Sequence, residues 1–360
     1  MSDLRFALIG CGRIAKNHVG PLTELAGAKL VAVCDLVPER ARACGEKHGV
    51  PVYTNYHSML RSEPVDVVCI LTPSGMHPAH AIDVMQRYRT HVVIEKPMAL
   101  AWADLARMKA AADDCGVKIF PVYQNRYNKA VQKVRADLRS GVLGKAALGT
   151  VRLRWCRPQR YYDRDPWRGT WAMDGGALTN QGIHYIDLLQ YIVGDVEAVS
   201  ARTATQLVRV EVEDTAVATL RFTNGALGVV EVTTAARPDD FEASISVLAE
   251  KGTAILTGIA SNQLSTYTLD PAAGAAHSEE FPDAYGYGHW TFFREVIADL
   301  AEGRPHSIDF EEGTRAIRLL NAIYRSAEDH REVRLDEGAT SRHLGRPDPQ
   351  LAALYETEPE

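Results

Sequence analysis

The chain has 360 residues, 46% of them hydrophobic and 24% charged, and its 40 basic and 46 acidic side chains leave a net charge of -6. That is the make-up of an ordinary globular protein of about two domains, and it excludes a disordered chain. No basic excess and no lysine-arginine run asks for nucleic acid or an anionic membrane surface, and no apolar run reaches the ~18 residues of a membrane span.

The start, Met1-Ser2-Asp3-Leu4-Arg5, leads straight into a short apolar run and lacks the long apolar core and small-residue cleavage site of a signal peptide. Six cysteines stand at 11, 34, 44, 69, 115 and 156, all in the first half and none in C-x-x-C spacing. The pattern predicts reduced thiols in a cytoplasmic protein, with neither a disulfide framework nor a metal site.

Residues 5 to 122 alternate short apolar runs with amphipathic stretches. Strands are expected at Arg5-Ile9, Leu30-Cys34, Val65-Leu71, His91-Ile94 and Ile119-Tyr123. Helices are expected at Ile14-Leu25, around Tyr56-Leu60, at Ala79-Tyr88 and at Ala103-Cys115. That succession is the signature of a doubly wound parallel sheet, the α/β Rossmann type. After residue 123 the rhythm changes. A helix is expected at Asn128-Leu138, closed by Gly141 and Gly144, then a strand at Ala147-Arg157 and an aromatic, arginine-rich loop from Arg157 to Trp171. Leu178-Ile192 reads as one helix. Strand-like runs follow at Val196-Thr205, Thr215-Phe222 and Gly225-Thr234, with the hairpin pair Asn224-Gly225 before the last, and then at Glu242-Ala249 and Thr253-Thr257. This predicts a meander, hence an α+β domain with a largely antiparallel open sheet. Two helices, near Trp290-Glu302 and Glu311-Ala327, complete it. The expected organisation is a Rossmann domain over 1-122, a second α+β domain over 123-336 and a loose polar tail over 337-360.

Gly10-Cys11-Gly12-Arg13-Ile14-Ala15 fits G-x-G-x-x-A between a strand and a helix. Gly10 permits the tight turn, Gly12 lets backbone approach a pyrophosphate, Ala15 allows close packing, and the helix N-terminus favours the anion. Asp35 ends the second strand, where a carboxylate accepts from ribose hydroxyls and repels a 2′-phosphate, which favours NAD over NADP; a helix-capping role is its other reading. Thr72 and Pro73 lie in the loop after another strand, at the carboxyl edge where cofactors bind. His77, in the same loop, reads equally as a cofactor contact and as a packed loop histidine.

Glu95-Lys96-Pro97 follows the strand His91-Ile94, so Lys96 belongs at the same edge, where an ammonium holds a substrate hydroxyl. In Gly175-Gly176-Ala177-Leu178-Thr179-Asn180-Gln181-Gly182-Ile183-His184-Tyr185-Ile186-Asp187 the four-residue spacing puts Asn180 and His184 on one helix face. Asp187 stands three positions further on to orient the imidazole. Histidine is the common general base near neutral pH. Arg157, Arg160, Arg164 and Arg168 suit diphosphate or carboxylate oxygens, and Tyr161, Tyr162 and Trp167 suit a uracil or sugar face; a solvated surface loop is the alternative.

The G-x-G-x-x-A start, Glu95-Lys96-Pro97 and the Gly-Gly…Gly-Ile-His-Tyr-Ile-Asp segment occur in the order of the Gfo/Idh/MocA oxidoreductase family, which residues 4 to 330 resemble. The resemblance implies a Rossmann domain, a second domain whose open sheet makes oligomer contacts, and hydride transfer at a sugar carbon with Lys96 and His184 as the catalytic pair. It implies NAD contacts from Gly10, Gly12, Arg13, Ile14, Asp35, Thr72, Pro73, His77, Glu95, Lys96 and Gln124. Many members carry Asp where this chain has Asn180, so Asn180 is expected to orient substrate and His184 to take the hydroxyl proton. A narrower resemblance is to bacterial UDP-2-acetamido-2-deoxy-glucuronate 3-dehydrogenases. It rests on Tyr123-Gln124-Asn125-Arg126-Tyr127-Asn128, Arg157-Pro158-Gln159-Arg160-Tyr161-Tyr162, Trp167-Arg168-Gly169-Thr170-Trp171, Glu213-Asp214-Thr215 and Tyr285-Gly286-Tyr287-Gly288-His289. It implies substrate contacts from Lys96, Asn125, Arg126, Arg157, Tyr161, Tyr162, Arg168, Asn180, His184 and Tyr287, no metal, and 2-oxoglutarate as an oxidant of NADH. It also implies a homodimer or homotetramer. Tyr123 departs from that subgroup's lysine, which leaves a neutral sugar open as substrate. A dehydrogenase or 3-ketoreductase of another sugar, such as an antibiotic-pathway glycoside, and a non-catalytic NAD-binding regulator are the alternatives.

Overall fold

The computed structural model describes residues 3-281 and 285-358; Met1 and Ser2 of the chain's start and the last two residues of the expected tail lie outside them. The described residues form two compact units. The first comprises those of Met1–Val122, His289–Thr314 and Pro347–Glu360, the second those of Tyr123–Gly288 and Arg315–Arg346.

In the first unit, strands β1 (Leu4–Ile9), β2 (Ala28–Cys34), β3 (Val52–Tyr53), β4 (Val67–Ile70), β5 (His91–Ile94) and β6 (Ile119–Pro121) alternate with helices α1 (Ala15–Glu24), α2 (Pro38–His48), α3 (Tyr56–Ser62), α4 (His77–Tyr88) and α5 (Trp102–Cys115). The sheet order is β3-β2-β1-β4-β5-β6, and every pairing is parallel. Buried apolar runs make this arrangement: Phe6, Ala7, Leu8 and Ile9 in β1, and Val67, Val68, Cys69 and Ile70 in β4, have almost no exposure because helices cover both faces. The strand order reverses between β1 and β4, which opens a crevice at their carboxyl ends.

In the second unit α6 (Lys129–Arg139) and β7 (Ala146–Arg154) come first, then the short α7 (Gln159–Tyr162) and α8 (Ala177–Asn180), and then α9 (Ile183–Val193). Strands β8 (Val196–Ala204), β9 (Thr215–Phe222), β10 (Leu227–Thr233), β11 (Glu242–Ala249), β12 (Thr253–Thr257) and β13 (Gln263–Tyr267) follow, with α10 (Pro271–His277) after them. Two helices, α11 (Gly288–Glu302) and α12 (Phe310–Asp329), lead to β14 (Val333–Arg334) and α13 (Pro349–Ala352). The eight strands run β13-β12-β11-β7-β10-β9-β8-β14, antiparallel except for β7 against β10. The expected simple meander is therefore two meanders joined through β7. The hairpin at Asn224-Gly225 is as expected, with Gly225 at φ +88. Alternate residues of β9 and β10 are buried, and Val217 and Leu227 stand exposed on the other face. There Arg154 pairs with Glu231 and Glu242 at 2.6 and 3.1 Å.

Two expectations from chain order give way to long-range packing. The helix that begins near Trp290 belongs to the first unit: Phe293 packs edge-on against Phe6, and Lys118 pairs with Asp299. The end of the chain is also fastened there. The carbonyls of Tyr355, Thr357 and Glu358 accept from His80, His57 and Asn55 at 3.3, 3.1 and 3.0 Å. Polar composition suggested a loose tail, but buried imidazoles need acceptors, and these carbonyls supply them. Among the described residues no helix is long and apolar enough to cross a membrane.

Leu8 is fully buried in a central strand. Leu8→Ala is expected to lower unfolding stability by about 2 to 5 kcal/mol in denaturant titration; a loss under about 1 kcal/mol would contradict this account of the core.

Candidate active site

The first unit carries the cofactor turn. Gly10 has φ +102, and a Cβ there would come within 2.7 Å of the Leu71 carbonyl oxygen, so only glycine fits between β1 and β4. A Cβ on Gly12 would meet nothing within 4 Å, so the turn's outer side is open at the N-terminus of α1, with Arg13 exposed and Ile14 half-buried beside it. Asp35 follows β2 and bonds backbone on both sides of it. Its Oδ2 accepts from the Cys11 N–H at 2.7 Å and its Oδ1 from the Val37 N–H at 2.8 Å, which fixes the carboxylate beside the turn. An open glycine backbone, a helix N-terminus and a carboxylate after β2 are the donor and acceptor set a dinucleotide needs.

Thr72 and Pro73 lie half-buried at the end of β4. His77 does not face that crevice. It is buried, with Nδ1 2.8 Å from the Pro97 carbonyl and Nε2 2.9 Å from that of Thr72, so it ties the loop after β4 to the loop after β5. Burial pushes its pKa down. Glu95, expected on the cofactor, is likewise an anchor. Its Oε1 lies 2.8 Å from His18 Nε2 and 3.4 Å from His289 Nε2, and its Oε2 accepts from the Lys96 N–H at 3.1 Å. Burial pushes this carboxyl up, but the bonds from the two imidazoles outweigh burial and hold it well below the usual range. The three side chains are all buried and offer ligand atoms within 4.8 Å of one another. Their spacing is that of hydrogen bonds onto one carboxylate oxygen. Lys96 follows directly and is half-buried.

The second unit carries the remaining candidate side chains. The expected single helix over Leu178–Ile192 is broken: α8 ends at Asn180, Gly182 N–H donates to the Ala177 carbonyl at 2.8 Å, and α9 starts at Ile183. The four-residue spacing of Asn180 and His184 therefore spans a break. Asn180 Nδ2 donates to Asp174 Oδ1, and Asp174 Oδ2 accepts from the Gly169 N–H at 2.7 Å. A carboxylate only accepts, so Asp174 turns the Asn180 amide nitrogen toward itself and its carbonyl oxygen away. Asp187, expected to orient His184, is held by Arg126. Both of its oxygens accept from Arg126, at 2.8 and 2.6 Å, in a fully buried pair. The same pair fixes the Arg126 guanidinium through its Nε and Nη2.

In the arginine-rich loop, Arg168 donates to Asp165 at 2.9 Å and to the Tyr161 hydroxyl at 2.7 Å, and packs over the Tyr161 and Trp167 rings. Gln181 also donates to the Tyr161 hydroxyl, at 3.3 Å, so loop and helix meet there. Arg157 pairs with Asp240 at 2.9 Å, while Arg160 and Arg164 are exposed. Tyr162 is buried with its hydroxyl 3.1 Å from Thr234 Oγ1, a core contact in place of the expected substrate face; burial pushes its pKa up to about 12. Gln124 and Asn125 are buried with side-chain oxygens that have no hydrogen-bond partner among the described residues. Tyr287 is 53% exposed and packs edge-on against Phe281, while its neighbour His289 belongs to the Glu95 cluster.

Glu213, which carried no role in the sequence reading, anchors α8. Its Oε1 accepts from the Leu178 N–H and the Tyr324 hydroxyl, both at 2.9 Å, and its backbone carbonyl accepts from the Ala177 N–H. A Cβ on Gly176 would overlap the Glu213 carboxyl, which is why a glycine stands there. Burial pushes the Glu213 pKa up to about 7.

A pyrophosphate turn on a 3-2-1-4-5-6 parallel sheet defines a dinucleotide-binding domain, with Lys96 at the end of β5. Residues 4–123 match the oxidoreductase family with an NAD-binding Rossmann fold, and residues 131–255 match the GFO/IDH/MocA C-terminal domain. The chain belongs to the GFO/IDH/MocA family and is an NAD-dependent sugar oxidoreductase. The WlbA dehydrogenase of Bordetella pertussis, solved with NADH and UDP-GlcNAcA, is 41% identical over 92% of this chain and 98% of its own, with a TM-score of 0.84. The WlbA dehydrogenase of Chromobacterium violaceum, solved with the same two molecules, is 39% identical over 93% and 96%, also at 0.84. Myo-inositol 2-dehydrogenase of Thermotoga maritima is 27% identical over 93% of this chain and 99% of its own length.

Glu213 binds its proton more tightly in the native state than in the unfolded one. Its contribution is complete below the ordinary value of 4.5 and is lost as pH rises through about 7. Relative to Glu213→Gln, the wild type is expected to lose on the order of 3 kcal/mol of stability between pH 4.5 and 8. Denaturant titrations of both proteins across that range check this, and parallel pH curves would contradict it.

Proposed function

We propose that the chain oxidises the C3 hydroxyl of UDP-2-acetamido-2-deoxy-glucuronate to a ketone with NAD. The supporting observation is its likeness, at 41% and 39% identity and over nearly the whole chain, to two enzymes solved with NADH and UDP-GlcNAcA. The curated inositol and apiose dehydrogenases stand at 27% and 29%.

NAD, bound at the Gly10–Gly12 turn beside Asp35 and near Thr72 and Pro73, supplies the hydride acceptor. The Lys96 ammonium holds the reacting oxygen and favours its alkoxide character, and the His184 imidazole takes the hydroxyl proton as general base. Asn180, held by Asp174, presents its carbonyl oxygen as an acceptor for a sugar hydroxyl. Tyr161 and Arg168 offer an aromatic face and a guanidinium to the rest of the substrate, with Arg157, Asn125 and Tyr287 at its margins. The exposed apolar side chains of the open sheet, Val217 and Leu227 among them, form the contact of a homo-oligomer.

One observation favours a second reading, a neutral sugar. Tyr123 is buried, and burial raises the pKa of its hydroxyl, so this position brings no cation to a sugar carboxylate.

Mass analysis of products from purified protein with NAD, with and without 2-oxoglutarate, over a panel of UDP-sugars and free glycosides separates the readings. A product lighter by two hydrogens from the UDP-uronate alone is expected; turnover of neutral sugars only would reject the proposal. A rise in product beyond the amount of enzyme only when 2-oxoglutarate is present would mark it as the oxidant of retained NADH. His184→Asn is expected to lower kcat by about 10²–10⁴ with NADH affinity unchanged, and near-normal turnover would remove His184 from the reaction.

A further inference from the structure

Residues 347–358 reach the candidate cofactor loop through one imidazole. Asp348 caps α13 by accepting from the Gln350 and Leu351 N–H groups at 3.1 and 3.0 Å, and the turn that follows presents the Tyr355 carbonyl to His80 in α4. His80 is buried; its Nε2 lies 3.3 Å from that carbonyl and its Nδ1 3.0 Å from the Thr72 hydroxyl. Burial pushes its pKa down to about 4, so the ring is neutral and carries a single N–H. A carbonyl oxygen only accepts, so that proton sits on Nε2. Nδ1 then has no proton, and the Thr72 hydroxyl donates to it. With its one hydrogen committed, the Thr72 oxygen keeps only acceptor capacity. Thr72 directly follows Leu71, whose carbonyl oxygen would be 2.7 Å from a Cβ on Gly10, so the residue stands beside the pyrophosphate turn.

We propose that residues 347–358 act on the NAD site through Tyr355 and His80, which together set the Thr72 hydroxyl as an acceptor for a donor group of the dinucleotide, a ribose hydroxyl or the carboxamide N–H. His80 is thus a positioning residue, and the C-terminal segment supplies the carbonyl that fixes its tautomer. The same arrangement excludes a phosphate oxygen at the Thr72 side chain, since an anion needs a donor and the hydroxyl has none left. Released from the carbonyl, the ring takes either tautomer, and the Thr72 hydroxyl is no longer held as an acceptor. The proposal rests on the reading that Thr72 lines the cofactor crevice. Coupling between two sites is reciprocal, so bound NAD in turn holds the segment more firmly.

The test uses the full-length protein without sugar. Amide hydrogen exchange of the peptide spanning residues 347–358 is followed by mass spectrometry with and without saturating NADH. NADH affinity is measured by fluorescence for the wild type, Thr72→Val, His80→Phe and the double variant. NADH is expected to slow exchange of that peptide roughly threefold or more in the wild type and not at all in Thr72→Val, and each single variant is expected to bind NADH roughly three- to tenfold more weakly. The double variant is expected to bind no more weakly than the weaker single one, since both changes remove the same contact. A packing role of His80 alone would give losses that multiply; that outcome, or wild-type exchange indifferent to NADH, would overturn the proposal. Thr72→Val with unchanged affinity would overturn it together with the reading of Thr72 as a cofactor contact, whereas a weakened Thr72→Val beside unchanged wild-type exchange overturns it alone. Exchange in the wild type and Thr72→Val decides the matter even if His80→Phe fails to fold. No measurement depends on which sugar is oxidised, so a failed substrate assignment leaves this test standing.

Discussion

A single buried carboxylate organises the first unit. Glu95 is ionised where water does not reach, at a cost of several kcal/mol for an uncompensated charge. His18 from α1 and His289 from α11 compensate it on one oxygen, and the Lys96 backbone N–H does so on the other. The carboxylate therefore fixes three things at once: the helix that follows the cofactor turn, a helix recruited from some two hundred residues away, and the backbone that carries Lys96. His77 sits beside it with its two ring nitrogens facing the carbonyls of Thr72 and Pro97, and the single N–H of a neutral ring bonds one of them. Lys96 is placed by neighbours that are themselves bound to the interior of the unit.

The second unit solves the same problem with acids. Asp174 and Glu213 hold the segment from Gly175 to His184, the first through the Asn180 amide and the Gly169 N–H, the second through the N-terminus of α8. Glu213 lies close enough to Asp174 for that charge to add to the rise burial causes in its pKa. One carboxyl satisfied by amide donors beside another that keeps its proton to about 7 lets two acids share a dry interior.

The sequence made the parallel sheet legible because its signals are local: apolar runs of strand length, glycines at a turn, an acid at a strand end. Short motifs singled out Lys96 and His184, the two side chains to which the proposed reaction gives a role. What the sequence hid was the partner of each buried polar group. Arg126 and Asp187 looked like a substrate contact and a histidine orienter, yet they satisfy each other across 61 positions. Glu95 and His77 sit in loops that line such crevices, and only the fold reveals that their side chains turn inward. Asp174 gives no periodic or motif signal at all. The helix break at Gly182 escaped because the apolar period runs through it unchanged.

The return of residues 289–314 and 347–358 to the first unit bears on how the chain is made. A ribosome that has synthesised residues 1–122 has released all six parallel strands but not His289, Phe293 or the carbonyls that receive His57 and His80. Until then Glu95 has one imidazole where the finished protein has two. The N-terminal half therefore waits, one hydrogen bond short at Glu95, while the second unit is synthesised, and residues 347–358 complete the domain that emerged first. Loss of residues 347–358 would strip His57 and His80 of their carbonyl acceptors, in the domain synthesised first.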